Sequence, residues 1–135
     1  MSLLALLYAL PSFADGGCGE LNIIIQNYTG VACTLQKSHV SSGYLSSEIP
    51  QSIPPNHSSD TITLEQGYFS GISSMLAYRC GSETIEIRSN QNYCFLQAGQ
   101  VSGQVYTADS IHVRYIAKNG SWWSSNPGRM TWSLF

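Results

Sequence analysis

Charge is scarce in this chain of 135 residues: six Lys and Arg stand against eight Asp and Glu, 10% of the whole, for a formal net charge of −2. That balance excludes a protein drawn to nucleic acid, or to an anionic membrane, by charge alone. Also absent are H-E-x-x-H, H-x-H and G-x-S-x-G motifs and any phosphate-cradling glycine loop, so the standard signatures of zinc hydrolases, serine hydrolases and nucleotide enzymes are missing. The nearest two cysteines have 13 residues between them and no adjacent histidine, which argues against a metal clamp. No cofactor is expected. No segment sustains a helical period. Disorder is excluded by the 43% hydrophobic content.

What is present begins with an apolar leader, Leu3 to Leu10, closed by Pro11-Ser12-Phe13-Ala14. Small residues at Ser12 and Ala14 after a short hydrophobic run form a signal-peptidase recess, predicting cleavage before Asp15. The run is shorter than the roughly 20 residues needed to span a bilayer. No Lys or Arg precedes it, so only the amino terminus supplies the positive charge. Residues 1–14 are thus expected to be a signal peptide and 15–135 one secreted domain, reaching the outside through the periplasm. Cys18, Cys33, Cys80 and Cys94 then read as two disulfides. If Thr84–Arg88 and Asn92–Gln97 form a hairpin across Ser89-Asn90-Gln91, Cys94 lies ~20 Å from Cys80. That favours Cys33–Cys80 with Cys18–Cys94, leaving Cys18–Cys80 with Cys33–Cys94 open.

Short β-branched and aromatic runs recur every 8 to 15 residues, among them Leu21–Gln26, Cys33–Lys37, Thr61–Glu65, Thr84–Arg88, Tyr93–Gln97, Val101–Tyr106, Ile111–Ile116 and Met130–Leu134. Pro50, Pro54 and Pro55 mark an edge or loop, and Asn119-Gly120 a tight turn. The expectation is an all-β, two-sheet antiparallel β-sandwich of about nine strands. An outer-membrane barrel fits less well, because Ser133 and Thr131 alternate with Phe135 where lipid-facing apolar residues are required.

Catalysis has little to build on. His112 alternates with Ser110 and Arg114 near Asp109, so a Ser/His/Asp hydrolase site is the second reading, while Glu83 and Glu86 lie on a charged, water-facing strand face. His39 and His57 are isolated. Binding has more. Trp122-Trp123, with Tyr115 on one side and Arg129 and Trp132 on the other, gathers all three tryptophans within eleven residues. Neighbouring side chains on a strand point to opposite faces, so one of the pair should be exposed, to stack on a sugar or sit at a headgroup boundary. Arg129 or Arg114 would hold an anionic group through its fork of N–H donors. Tyr68-Phe69, flanked by glycines, is a second candidate tip. Asn27, Asn56 and Asn119 begin N-glycosylation sequons, of which Asn27 is expected to shape the turn after it.

The order Ile23-Ile24-Ile25-Gln26-Asn27, Gly43-Tyr44-Leu45, then Ile53-Pro54-Pro55 leading into Thr61-Ile62-Thr63 resembles aegerolysins and the wider actinoporin-like group. That resemblance implies a small secreted β-sandwich that binds membrane lipid, in some cases with a pore-forming partner. Asn27-Tyr28-Thr29 with Cys33-Thr34-Leu35, Tyr78-Arg79-Cys80-Gly81, Asn92-Tyr93-Cys94-Phe95 and Gly120-Ser121-Trp122-Trp123 are similar to small cysteine-paired exoproteins of Legionella-type bacteria, exported by type II secretion. This second resemblance implies a virulence effector used against host cells. The leading reading is a monomeric, non-enzymatic protein that binds a ligand at a host or envelope surface, a lipid headgroup being preferred to a glycan because the first resemblance implies it. A protein partner is allowed, and a pore-forming or membrane-integrated protein is the third reading.

Overall fold

The computed structural model describes residues 17–106 and 110–135. The leader, the cleavage site at Asp15, and Asp109 of the Ser/His/Asp reading lie outside the described residues. Those described contain eleven strands and no helix: β1 (Glu20–Asn27), β2 (Cys33–Ser42), β3 (Tyr44–Leu45), β4 (Ser52–Ile53), β5 (His57–Ser58), β6 (Ile62–Glu65), β7 (Ile72–Cys80), β8 (Glu83–Gln91), β9 (Val101–Tyr106), β10 (Val113–Lys118) and β11 (Gly128–Leu134). They form two facing sheets, β10-β11-β1-β6-β3, with β5 also on β1, and β4-β2-β7-β8-β9. The expected sandwich is present, with two-residue strands β3, β4 and β5 raising the count above nine.

Alternation decides which side chains enter the core. Leu21, Ile23 and Ile25 of β1, Leu76 and Tyr78 of β7, Ile85 and Ile87 of β8, and Met130, Trp132 and Leu134 of β11 all point between the sheets and are buried. Each such side chain contributes roughly 1.5–3 kcal/mol by leaving water. Ile24 stays half-buried on the outer face of β1, so that strand is covered on one side only, contrary to its near-continuous apolar run. Trp132 spans the layers. Its Nε1 donates to Ser89 Oγ at 2.9 Å, and a methyl group on Gly103 of the opposite sheet would come within 2.8 Å of its ring.

One pairing departs from the antiparallel expectation: β1 and β11 lie side by side in parallel, from Leu21 opposite Gly128 to Asn27 opposite Leu134. The expected hairpin across Ser89-Asn90-Gln91 is also wrong. Those residues belong to β8, whose neighbours are β7 and β9, while Asn92–Gln100 form a loop in place of a strand. A polar alternation, with Ser89 and Gln91 inward, hid the continuation of β8. The favoured cysteine pairing is nonetheless the one present. Cys33 and Cys80 are direct neighbours across β2 and β7, with Cα atoms 4.1 Å apart, and Cys18 meets Cys94 at 5.9 Å. Asn119-Gly120 is not a tight turn; the chain reverses at 122–125, inside the Ser121–Asn126 bridge.

Candidate functional site

Strand register brings three loops to one end of the sandwich. Glu20 faces Glu65, Leu21 faces Gly128, Lys118 faces Arg129, and Gln91 lies between Ile72 and Val101. The β6–β7 loop (66–71), the β8–β9 loop (92–100) and the β10–β11 loop (119–127) therefore emerge together. Two glutamines and a disulfide tie them into one body. Gln66 Nε2 donates to the Cys94 carbonyl at 3.2 Å, and its Oε1 accepts the Cys94 N–H at 2.9 Å. Gly99 and Gly120 exchange backbone hydrogen bonds at 3.0 and 2.9 Å. Gln91 is buried beneath the loops and donates to the Cys18 carbonyl at 2.9 Å; a Cβ on Gly128 would sit 1.9 Å from its Oε1, so only glycine fits there.

The tips of these loops carry a continuous aromatic file. Tyr68 meets Phe69 edge-on at 5.2 Å between ring centres, Phe69 lies 6.3 Å from Tyr93, Tyr93 6.3 Å from Phe95, and Phe95 5.1 Å from Trp122. Tyr68 is 92% exposed, Trp123 81% and Phe69 80%; Trp122 is half-buried against Phe95, and Leu96 stands out beside it. Of the two tryptophans, Trp123 thus faces water, for a reason other than strand alternation, since both lie in a turn. The two candidate tips, Trp122-Trp123 and Tyr68-Phe69, belong to one rim joined by Tyr93 and Phe95. Sequence reasoning missed those two because they read as strand residues.

Backbone conformation marks the same place. Four non-glycine residues among those described have left-handed φ, and three of them, Phe69 (59°), Leu96 (58°) and Ser125 (54°), occupy one rim loop each. For residues as bulky as Phe and Leu this costs about 1 kcal/mol apiece. No residue of the three loops is charged. At their base, on the outer face of β10 and β11, Lys118 and Arg129 are cross-strand neighbours, both exposed and neither in an ion pair among the described residues. Two like charges placed opposite each other are unfavourable unless an anion answers them. Farther across that face, Glu20 stands opposite Glu65.

Arg129 therefore flanks the rim, but Arg114 and Tyr115 do not join it. Strand β10 runs toward the rim, and Arg114, near its start, lies roughly 13 Å from Lys118 at its end. Its guanidinium lies over the Phe135 ring at 5.8 Å, and Tyr115 packs on buried Trp132 at 5.0 Å. Among the described residues, Ser110 and His112 of the hydrolase reading are not brought together. The Ser110 hydroxyl is bonded to Glu83, not to His112, whose exposed ring has no partner among the described residues. The hydrogen bond from the Ser110 hydroxyl holds the Glu83 carboxyl below its usual range against an opposing effect of desolvation, with lesser help from the Ser110 and Ile111 N–H groups. Glu86 pairs with Arg88 at 3.2 Å.

Several solved structures share this fold. The chain is similar to the lipid-binding protein Nakanori, at 12% identity and a TM-score of 0.68, over 96% of this chain and 75% of that one. It is also similar to IP-1A from Alcaligenes faecalis, at 14% identity and a TM-score of 0.58, over 91% of this chain and 95% of the other. No protein-family model and no curated protein matches the sequence, so the exoprotein resemblance gains no support.

Proposed function

We propose that this is a lipid-binding protein that docks on membranes by its aromatic rim. The observation that carries the reading is the display of Tyr68, Phe69, Leu96 and Trp123 on three braced, uncharged loops, with strained backbone at two of the displayed residues. Burial of three such aromatic side chains at a bilayer interface contributes on the order of 5 kcal/mol. Tyr and Trp suit that depth, having an apolar ring and a polar edge. Lys118 and Arg129 would then lie at headgroup level, where their donors meet phosphate oxygens. The lipid-binding neighbour of the same fold supports the reading. The two disulfides suit an oxidising location outside the cytoplasm, with a host or envelope membrane as the target.

The test is vesicle co-sedimentation, with zwitterionic and with anionic lipid. Wild-type protein should partition to both, and a Phe69→Ala/Trp123→Ala variant should bind about a hundredfold more weakly. Phe69→Gly with Leu96→Gly should bind weakly while unfolding at the same or higher denaturant, because strain is relieved as contact is lost. Unchanged partitioning of both variants overturns the assignment. Dye retention inside the vesicles separates docking from pore formation.

A further inference from the structure

The outer face of β2, β7, β8 and β9 ends, beside the rim, in a row of small uncharged polar residues: Ser42, Ser73, Asn90 and Ser102, one on each strand. Beyond the row, Asn92, Gln100 and Asn119 close an open cleft of ≈ 680 Å³, with Tyr93 on its wall and no charged residue in its lining. The volume suits a small polar ligand.

The amides in this cleft have a fixed polarity. Asn119 Oδ1 accepts the Val101 N–H at 2.9 Å, and Asn92 Oδ1 accepts the Gln100 N–H. A backbone N–H can only donate, so the oxygen of each side chain must face it, leaving the –NH₂ unused. Asn90 Oδ1 accepts the Ser73 hydroxyl at 2.7 Å, a partner that does not fix the amide's orientation as a backbone N–H does. The Nδ2 groups of all three, the Gln100 amide and the Ser102 hydroxyl have no partner among the described residues. The loops thus present two oriented donors, from Asn92 and Asn119, with Asn90 of β8 near them and no charged residue in the cleft lining.

That chemistry selects among ligands. A phosphate or carboxylate would find no countercharge in the lining, and an apolar group would strip the donors of water without replacing it. A neutral sugar ring supplies acceptor oxygens for the amides and an apolar face for an aromatic side chain. Tyr93 is shared between cleft and rim, lying 6.3 Å from both Phe69 and Phe95. A ring bound there would be level with the membrane surface when the rim is docked. We infer that the cleft is a subsite for the neutral sugar of a glycolipid headgroup. The inference rests on the rim's docking to lipid and names part of what it docks to.

The experiment compares phosphatidylcholine vesicles with the same vesicles carrying glucosylceramide, galactosylceramide or lactosylceramide. Wild-type protein should bind at least one of the doped preparations about tenfold more tightly than plain vesicles. Asn92→Asp/Asn119→Asp keeps both loop-holding oxygens and removes the donors; it should lose that gain, read as the ratio of doped to plain binding within the variant, so that any effect of the added carboxylates on docking itself cancels. Gln100→Ala/Ser102→Ala, which touches no loop bond, should reduce the gain as well. Equal binding to plain and to all doped vesicles, or a gain that survives in both variants, overturns the inference. So does inhibition by soluble methyl glycosides at concentrations matching the lipid-borne sugar, which would assign the cleft to free or protein-borne glycan. Failure of the rim itself reads differently: plain vesicles then go unbound, whereas failure of the cleft changes only the ratio of doped to plain.

Discussion

The two ends of the sandwich are closed by opposite means. At the rim, three loops are braced from below by Gln66, Gln91 and Cys18–Cys94, and their largest apolar side chains point outward. At the far end the same fold turns polar groups inward. Asn27 is fully buried, donating to the carbonyls of Val31 at 2.7 Å and Ile53 at 3.0 Å while its Oδ1 accepts from the Thr29 N–H and hydroxyl at 3.0 and 2.7 Å. The exposed aromatics there cover one another, Tyr28 stacking on Phe135 at 5.3 Å. One end spends polar contacts on stability, the other frees apolar surface for contact with something else.

The two disulfides offer the sharpest way to break this contrast, one lying at each end. Their sequence separations of 76 and 47 predict, from loop closure alone, losses of about 4 kcal/mol each on replacement by serine. Denaturant unfolding should show similar destabilisation for Cys18→Ser/Cys94→Ser and Cys33→Ser/Cys80→Ser. Vesicle binding by the fraction still folded should fall only for the first pair, whose loss frees the 92–100 loop. Equal binding by both would mean that the rim needs no brace.

Asn27→Ala comes next. It removes the partner of the buried Ile53 carbonyl and of the Thr29 N–H at once, and should cost about 2 kcal/mol in denaturant unfolding with lipid binding unchanged. The smallest effect belongs to Glu83, which ties the segment at Ser110 and Ile111 to the start of β8. Because its carboxyl is held below the usual range in the folded state, the tie is fully present above that range and is lost as pH falls through the lowered value. Protection of the Ser110 and Ile111 amides, taken relative to free-peptide exchange at each pH, should therefore fall on acidification, and Glu83→Gln should remove that pH dependence without touching the rim.

What the sequence disclosed divides along similar lines. Ile85 and Ile87 on one face of β8, and Met130, Trp132 and Leu134 on one face of β11, follow a period of two that burial imposes, so those core strands were legible. The continuation of β8 was not, since Ser89 and Gln91 turn inward to serve Trp132 and Cys18, a need visible only once the sheets face each other. At the site, Trp122-Trp123 stood out through a strand alternation that does not apply to the turn they occupy, and Tyr68-Phe69 as neighbouring aromatics in loop-like sequence. Their union through Tyr93 and Phe95 depends on strand order, as does the placing of Lys118 beside Arg129. Arg114 and Arg129 looked equivalent in sequence and lie far apart along antiparallel neighbours.

The parallel partnership of β1 with β11 has a consequence for how the protein comes to exist. The middle of one sheet joins segments from opposite ends of the polypeptide, and such distant pairings form late and slowly. Until the final strand is made, β1 exposes an unmatched edge and its apolar face has no Trp132 to share the interior. A chain halted before that point should remain open and be prone to clumping if it lingers.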